Sequence, residues 1–363
     1  IAGERDELVA FSQLSKTIIH RLAYGTIFLG AGVAVVLFFL KGPAWAILVS
    51  ASIIGGVLSG WAGVRLYILM AARERRSVAL INTCSSFAKP MAGVLLIYLF
   101  VADASYVLLG YIISLIVVVF VAENCFNKKV AKREIGHPAK SSKIISGSFL
   151  ANELFAFTWP FYIWGIFGWM HQACDRWALQ SFHGAETVGA FFVISQLAVY
   201  PLVAGSSFLS TFFVPIAYQR AGGLTSKDHF KSANKIIFAM SGLYLVGALL
   251  LIFIYAFFHE WLVLVISSEK YTIYSGLLPG LTGAWALYYS GQMFSGFGLL
   301  ANKPAIYMSP IITSGLLATV LTFVLSSKYG VAGVVWGLGV SGFVYALWTL
   351  AIAFLLIRKK LEK

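Results

Sequence analysis

Apolar runs of 18 residues or more recur along the whole chain, and they constrain its fold more than any other feature. A run of about 20 apolar residues crosses the roughly 30 Å hydrocarbon core of a membrane as a helix. The chain is 60% hydrophobic and 11% charged, whereas soluble domains carry about 25% charged residues. The runs do not alternate in polarity, as membrane β-strands do. The sequence therefore predicts an all-α integral membrane protein.

The apolar runs and the polar breaks between them predict about ten transmembrane helices. The fifth run is overlong for a single span and is expected to contain a bend or an interfacial end. The expected spans are 17–40, 44–70, 78–101, 104–125, 149–180, 187–217, 232–258, 273–299, 305–327 and 331–357.

The basic residues predict the orientation of these spans. With ten spans, 21 of the 27 Lys and Arg residues fall on one side of the membrane. Three fall in loops on the other side, and Arg65, Lys89 and Arg176 fall within spans. Basic loops stay in the cytoplasm, so both ends of this chain are expected there. The net charge of +13 has no aromatic-interleaved basic patch, so a nucleic-acid partner is not expected.

A polar, basic loop divides the chain into two expected helical bundles. The predicted bundles cover 1–126 and 149–363, with 127–148 as a cytoplasmic connector. The two halves also look related, because aligning Ser77 with Ala305 brings Gly110 opposite Gly337 to within one residue. Transporters are often built from such repeats, with the substrate site where the repeats meet. Two spans at 149–217 then lack a counterpart, so twelve spans are expected in the full protein, in two pseudo-symmetric bundles around a central cavity.

The segment FTWPFYIWGIFGWMHQACDRWALQSFHGAETVGAFFVISQLAVYPLV resembles the seventh and eighth spans of Wzx-type polysaccharide flippases. These flippases belong to the multidrug/oligosaccharidyl-lipid/polysaccharide exporter (MOP) superfamily. Their pattern is an early proline, an Asp-Arg pair, a turn with glycine and a Val-Gly start to the next helix. The matching residues here are Pro160, Asp175, Arg176, Gly184, Val188 and Gly189. SSEKYTIYSGLLPGL, GLLANKPAIYM and KYGVAGVVWGLGVSGF resemble later parts of the same family.

The resemblance implies a transporter that flips an undecaprenyl-pyrophosphate-linked oligosaccharide across the bacterial cytoplasmic (inner) membrane by alternating access. It implies a place in lipopolysaccharide O-antigen or related polysaccharide biosynthesis. The expected partners are this lipid-linked substrate, membrane lipids, and a polysaccharide polymerase and chain-length regulator. No cofactor, metal or catalytic residue is expected.

A pyrophosphate substrate calls for cations inside the membrane, because Lys and Arg bind phosphate through charge-assisted hydrogen bonds. A charge retained within a span faces an aqueous cavity or a partner. Lys89 lies in mid-span before Pro90 and is the strongest candidate. Arg65 lies about two turns inside the cytoplasmic end and is either a substrate contact or a residue that snorkels. Lys89 has the alternative of reaching the interface or pairing with a carboxylate.

The Asp175–Arg176 pair has two interpretations. Arg176 either binds substrate or stabilises the turn before His183, and adjacent helical residues need not pair because they point about 100° apart. Asp175 and Glu153 are candidates for ion coupling or for a structural role. His20 and Arg21 are expected near the cytoplasmic entrance, as interfacial anchors or as residues that admit the pyrophosphate.

Other function classes remain as alternatives. An ion-coupled multidrug exporter of the same superfamily ranks second, because cationic drugs favour acidic cavity residues and the intramembrane excess here is basic. A flippase for lipid-linked peptidoglycan precursors usually carries two further C-terminal spans. A polytopic membrane glycosyltransferase or acyltransferase is the enzyme alternative. The sequence has no Walker loop, GxSxG elbow or metal-ligand spacing, so an enzyme is not expected.

Overall fold

The structure, a computed structural model, describes residues 5–72, 74–101, 103–129, 147–221, 227–301 and 303–362. Every regular element among these residues is helical, as the sequence predicts. The chain divides into two units, Ile1–Asn152 and Glu153–Lys363. Most of the basic connector predicted at 127–148 lies outside the described residues.

Unit 1 contains four long helices. They are α1 (Arg5–Lys41), α2 (Pro43–Ala71), α3 (Arg75–Leu99) and α4 (Ala104–Lys129). Helix α2 packs against α1 and α4, and α3 packs against α4. The first α2 residue is Pro43, which suits this position because its missing N–H has no partner there anyway.

The buried core of unit 1 is small. One cluster joins Ile68, Leu69, Val78 and Phe126 near one end of α2, α3 and α4. Most large apolar side chains of α1 are exposed, including Phe28 and Phe39. Lipid tails are as apolar as these side chains, so helices in a membrane need not bury them.

Unit 2 is larger and has one continuous core. It is built by α5 (Gly147–Ala221, which begins just before the unit boundary), α6 (Lys227–Ile266), α7 (Leu278–Phe294), the short α8 (Gly296–Leu300) and α9 (Met308–Glu362). A 3-10 helix at Glu269–Leu277 connects α6 to α7, and another at Pro304–Tyr307 precedes α9. The span predicted at 273–299 is therefore α-helical over 278–294 and again from 296 in α8, and its first residues belong to the 3-10 helix formed by the polar EKYTIYS segment.

Two glycines interrupt the longest helices of unit 2. Gly184 in α5 has φ 80° and ψ 174°, and Gly330 in α9 has φ 60° and ψ −139°. A 75-residue helix would be about 110 Å long, so α5 needs such a break. The breaks are near each other: His183 Nε2 lies 3.0 Å from the carbonyl oxygen of Ser326, and a Cβ on Gly330 would contact the His183 ring.

The related halves share one packing detail. A Cβ built on Gly110 would lie 2.5 Å from the backbone nitrogen of Gly93, and one built on Gly337 would lie 2.9 Å from that of Thr322. The register that aligns Ser77 with Ala305 places Gly93 on Leu321 and Gly110 within one residue of Gly337, and the Leu321 carbonyl carbon lies 3.0 Å from the Cβ built on Gly337. Each unit thus uses a glycine at the same place to bring two consecutive spans into backbone contact.

The membrane assignment is supported, and the number of spans stays a prediction. Seven helices in the described residues are long and apolar enough to cross a membrane. Two of them, α5 and α9, contain the breaks at Gly184 and Gly330, and α7 is 17 residues long.

Candidate functional site

One exposed side of α3 carries a row of polar residues. Asn82, Thr83 and Ser86 are exposed, and Lys89 is partly buried one turn further on. Asn82, Ser86 and Lys89 follow each other at four and three residues, and Thr83 lies three residues before Ser86, so all four lie on one side of the helix. We call this side, with the adjacent Pro90, the polar flank of α3. It consists of Asn82, Thr83, Ser86, Lys89 and Pro90.

A second exposed side of α3 is apolar and lies about 120° around the helix from the polar flank. Its residues are each about two-thirds exposed or more: Leu80, Phe87, Met91, Val94 and Tyr98. A third side, with Val78 and Ile81, is buried against the rest of unit 1. Large apolar side chains suit lipid, whereas hydroxyl, amide and ammonium groups require water or a polar partner. We infer that lipid covers the apolar side and that the polar flank contacts water.

Lys89 has no charged partner in the part of the chain that the structure describes. None of the ion pairs there includes it, and no carboxylate approaches its ammonium group within 4.0 Å. The expected alternative of a carboxylate partner is therefore not observed among these residues. Helix α3 continues through Pro90, so Lys89 lies on a helix and not at a broken end.

Arg65 has a carboxylate partner that sequence analysis missed. Its Nε donates to Oε1 of Glu123 at 2.6 Å, and the Trp61 indole N–H donates to the same oxygen at 3.0 Å. The guanidinium also lies 4.9 Å from the centre of the Phe126 ring. Arg65 is 1% exposed, so it does not snorkel to water. A substrate contact through Arg65 stays a prediction, and in this structure its charge is held by α4.

Glu123 had a recognisable signal in the sequence. It is an acidic residue within an apolar run, and Arg65 is a basic residue within another. A charge inside a membrane usually pairs with an opposite charge on a neighbouring helix. The sequence does not say that α2 and α4 are neighbours, and this packing is what identifies the pair.

Asp175 is buried in unit 2 and Arg176 is half exposed. The Asp175 side chain is 3% exposed, and its Oδ1 accepts the Arg176 backbone N–H at 2.7 Å. Arg176 donates from Nη2 to the carbonyl of Gln172 at 3.0 Å, and its guanidinium lies 4.9 Å from the centre of the Phe192 ring. Phe192 follows the break at Gly184, so Arg176 connects the two halves of α5.

The two side chains also approach each other. Arg176 Nε lies 3.6 Å from Asp175 Oδ1. Adjacent helical residues point about 100° apart, but the long Arg176 side chain reaches around the helix to its neighbour. The contacts of Arg176 support the structural interpretation, and substrate binding by Arg176 or ion coupling by Asp175 stays a prediction.

A buried aromatic cluster in unit 2 was also missed. The His171 ring stacks on Tyr288 with ring centroids 4.1 Å apart, and Tyr345 also stacks on Tyr288, with ring centroids 5.3 Å apart. His171 Nδ1 lies 3.2 Å from the Ser314 hydroxyl, which joins α5 to α9. These residues are spread over three helices, and periodicity does not reveal which aromatic faces meet.

The remaining predicted residues have simpler surroundings. His20 is exposed and lies edge-on to Trp61 with centroids 4.9 Å apart, and Arg21 is exposed. Glu153 lies in α5, but its side chain lies outside the described residues. Within the described ranges, no group of three or more His, Cys, Asp or Glu side chains is placed to hold a metal ion.

Comparison with known proteins shows which solved structures have a similar fold. No protein-family model matches the chain, and no curated protein matches it in sequence. Among solved structures, the chain is similar to a multidrug-resistance MATE family transporter of the MOP superfamily in its outward-facing conformation. The TM-score is 0.73 at 12% identity, over 98% of this chain and 79% of that one.

Two further solved structures are of MATE proteins in named conformations. The straight conformation gives a TM-score of 0.72 at 13% identity, over 98% of this chain and 79% of that one. The bent conformation gives 0.64 at 12% identity, over 94% of this chain and 78% of that one. The chain therefore has a fold similar to that of these MATE proteins, the first of which is described as a member of the MOP superfamily that the sequence resembles.

Proposed function

We propose that this protein is a membrane transporter that exports an amphipathic substrate with an anionic group, and that Lys89 binds that group. The observation that carries the proposal is the position of Lys89 on the polar flank of α3. A lysine without a carboxylate partner among the described residues, next to exposed amide and hydroxyl groups, is suited to a phosphate or carboxylate.

The comparisons favour a small-molecule exporter over a lipid-linked oligosaccharide flippase. The solved structures compared above are MATE proteins, and one is described as a multidrug-resistance transporter. The alternative named second in the sequence analysis is thus better supported by the comparisons than the first. Lys89 adds that the exported compound is an anion, because a cationic drug would be repelled there.

The flippase remains a second candidate because of the same lysine. A pyrophosphate-linked glycan carries negative charge for an ammonium group and many hydroxyls for Asn82, Thr83 and Ser86. The resemblance around Asp175 and Arg176 favours this substrate too. The remaining proposals of this candidate are ten spans in this chain, a bacterial inner membrane, cytoplasmic chain ends and a role in polysaccharide assembly.

Two cellular assays distinguish the two candidate functions. The full-length gene is expressed in a bacterium without its own polysaccharide flippase, and in one without its main drug-efflux pumps. Surface polysaccharide is scored in the first, and resistance to matched anionic and cationic dyes in the second. Restored polysaccharide identifies a flippase, and selective resistance to anionic dyes identifies an exporter of anions.

Three variants at matched membrane abundance test Lys89 in whichever assay responds. Lys89→Ala is expected to abolish the activity, and Lys89→Arg to retain much of it. Lys270→Ala serves as the control, since Lys270 is exposed in the 3-10 helix of unit 2. Full activity of Lys89→Ala would remove the anion site from the proposal. Resistance to cationic dyes alone would contradict the anionic substrate.

A further inference from the structure

One side of α6 is basic near the start of the helix and apolar afterwards. Lys231 and Lys235 are both exposed, and their spacing of four residues places them on one side of the helix. No ion pair among the described residues includes either lysine. Between positions 239 and 257 the exposed residues on the same side are apolar, and they include Ala239, Leu243, Val246, Leu250, Phe253 and Phe257.

The part of α9 that follows Gly330 shows the same pattern in the opposite order. An exposed apolar side extends from Trp336 to Phe354, and Arg358 follows one turn later on that side. The residues of this side lie three or four positions apart: Trp336, Val340, Phe343, Leu347, Ala351 and Phe354. Each of the two apolar sides is about 27 Å long, which is close to the roughly 30 Å hydrocarbon core of a membrane.

Contacts with α7 and α8 show the direction of α6. A Cβ built on Gly283 of α7 would lie 3.9 Å from the Ile252 side chain, and one built on Gly296 of α8 would lie 3.9 Å from that of Ile237. A step forward along α7 and α8 is therefore a step backward along α6, toward Lys235. Helix α6 runs antiparallel to α7.

The part of α9 after Gly330 runs parallel to α7. A Cβ built on Gly280 of α7 would lie 3.1 Å from the Val335 side chain, and one built on Gly291 would contact the ring of Tyr345. Because α6 is antiparallel to α7, the start of α6 and the end of α9 lie at the same end of unit 2.

The two helices meet at this end through a pair of aromatic rings. The ring centroids of Phe238 and Phe354 are 5.7 Å apart. Lys235 lies about one turn before Phe238, and Arg358 lies about one turn after Phe354. The cations of both helices therefore lie just beyond the contact, on its side away from the apolar residues. We call Lys231, Lys235, Phe238, Phe354 and Arg358 the basic end of unit 2.

We propose that the basic end of unit 2 binds an anionic phospholipid. Lysine and arginine bind phosphate through charge-assisted hydrogen bonds, and Lys235 and Arg358 lie at the edge of the apolar sides, at the depth of lipid phosphates. The acyl chains of the lipid pack on the exposed apolar sides of α6 and α9. Each cation near an anionic membrane surface favours the anionic lipid about fivefold. The orientation predicted from the basic loops places this end at the cytoplasmic leaflet, which has a negative surface potential.

The opposite end of unit 2 carries both signs of charge among the described residues. Lys270 lies 3.4 Å from Glu186, and Glu260 is exposed at the same end. Trp261 and Trp336 are also exposed there, as is common where a membrane meets water. This mixture of charges is not expected to select an anionic headgroup. The proposal goes beyond the proposed function, because it concerns a lipid at the surface of unit 2 and requires no transported substrate.

The first test measures which phospholipid lies beside the basic end. The full-length protein, with Cys84, Cys125 and Cys174 replaced by alanine, receives Ala239→Cys and a fluorophore at that position. It is reconstituted into mixed bilayers in which either phosphatidylglycerol or phosphatidylcholine carries brominated chains that quench the fluorophore. Phosphatidylglycerol is expected to be preferred at least about fivefold at position 239. Phe257→Cys, at the other end of the same apolar side, is the control and is expected to show no preference. Equal preferences at both positions would overturn the proposal.

The second test removes the same number of charges from each end of unit 2. Lys231→Gln combined with Lys235→Gln is compared with Lys270→Gln combined with Lys328→Gln, which removes two exposed lysines from the opposite end. Only the first pair is expected to lower the preference for phosphatidylglycerol at position 239, by about fivefold or more. A preference that survives the first pair, or that falls equally with both pairs, would contradict binding of the headgroup at the basic end.

Discussion

Gly110 of α4 faces Gly93 of α3 so closely that a Cβ on Gly110 would lie 2.5 Å from the Gly93 backbone nitrogen. Backbone cannot withdraw as a flexible side chain can. We therefore expect Gly110→Ala to destabilise unit 1 by about 1–3 kcal/mol through overpacking. The same result is expected for Gly337→Ala, whose Cβ would lie 2.9 Å from the backbone nitrogen of Thr322.

The matched controls for these two substitutions are helical glycines with open space. Gly60→Ala in α2 and Gly247→Ala in α6 place a Cβ where nothing lies within 4 Å. Alanine is a better helix former than glycine by about 1 kcal/mol, so neither control is expected to lower the melting temperature. Thermal unfolding of the four purified variants in detergent gives the comparison. Equal melting temperatures for Gly110→Ala and Gly60→Ala would contradict the close approach of α3 and α4.

The break in α5 depends on the backbone freedom of Gly184. Its φ of 80° with ψ of 174° is a conformation that is essentially restricted to glycine. Gly184→Ala is expected to cost about 1–3 kcal/mol of unfolding free energy. Gly189→Ala, five residues later on the same helix with open space around it, is the control. A Gly184→Ala protein as stable as Gly189→Ala would mean that the turn does not require this backbone conformation.

The Arg65–Glu123 ion pair is expected to stabilise the contact between α2 and α4. Removing one member of a buried pair leaves an uncompensated charge and costs about 3–5 kcal/mol. We expect Glu123→Ala to lower the melting temperature strongly, and Glu123→Gln less, because the amide still accepts from Trp61 and Arg65. A double-mutant cycle with Arg65→Met measures the coupling. Additive effects of the two substitutions would argue against the pair.

The polar flank of α3 is expected to contact water while the opposite exposed side contacts lipid. In a cysteine-free background, Asn82→Cys and Ser86→Cys are expected to react with a membrane-impermeant thiol reagent in proteoliposomes. Leu80→Cys and Phe87→Cys, each within two residues of one of these positions but on the apolar side, are expected to resist it. Reaction of all four positions, or of none, would contradict the separation into two sides.

Asp103 gives the start of α4 a dependence on pH. Hydrogen bonds from the Ser105 hydroxyl and from the Ser105 backbone N–H, which donates to Asp103 Oδ1 at 2.7 Å, lower the pKa of the exposed Asp103 carboxyl below its usual value. A carboxyl whose pKa is lower in the folded state stabilises that state above its unfolded pKa, and this stabilisation is lost as the pH falls through the folded pKa. The first turn of α4 is therefore expected to loosen below about pH 4.

Hydrogen exchange of the peptide that contains Ser105 and Tyr106 measures this loosening. Each pH is compared with Asp103→Asn, whose neutral amide caps the helix without titrating. The ratio of the two exchange rates is expected to change as the pH falls from 5 toward 3. A constant ratio would show that the carboxylate does not cap α4.

Much of the fold is predictable from this sequence because a membrane constrains features that can be recognised in short segments of the chain. Span length, the breaks between spans and the glycines at 110 and 337 are all visible in linear order. The 3-10 helix at Glu269–Leu277 was missed because its polar residues look like the margin of a span. The sequence also does not predict which helices pack side by side. Arg65 is recognisable as a buried cation, but its partner depends on which helix lies beside α2.

The candidate site is predictable in part for the same reason. Lys89 stands out because a charge in an apolar run is rare. The neutral residues beside it are Asn82, Thr83 and Ser86. They can be recognised as part of a polar side only from the burial pattern of α3, which distinguishes three sides of the helix. The His171–Tyr288 stack joins residues more than a hundred positions apart, and no local pattern in the sequence records such a contact.

Pro90 has a chemical consequence for the residues around it. Proline has no backbone N–H, so the carbonyl of Ser86, four residues earlier in α3, loses its usual helical donor. Ser86 itself lies about one turn before Lys89 in α3. A single turn of a membrane helix thus offers a positive charge and a main-chain acceptor side by side. A ligand that carries both an anion and a hydroxyl would be recognised there by two groups of opposite polarity.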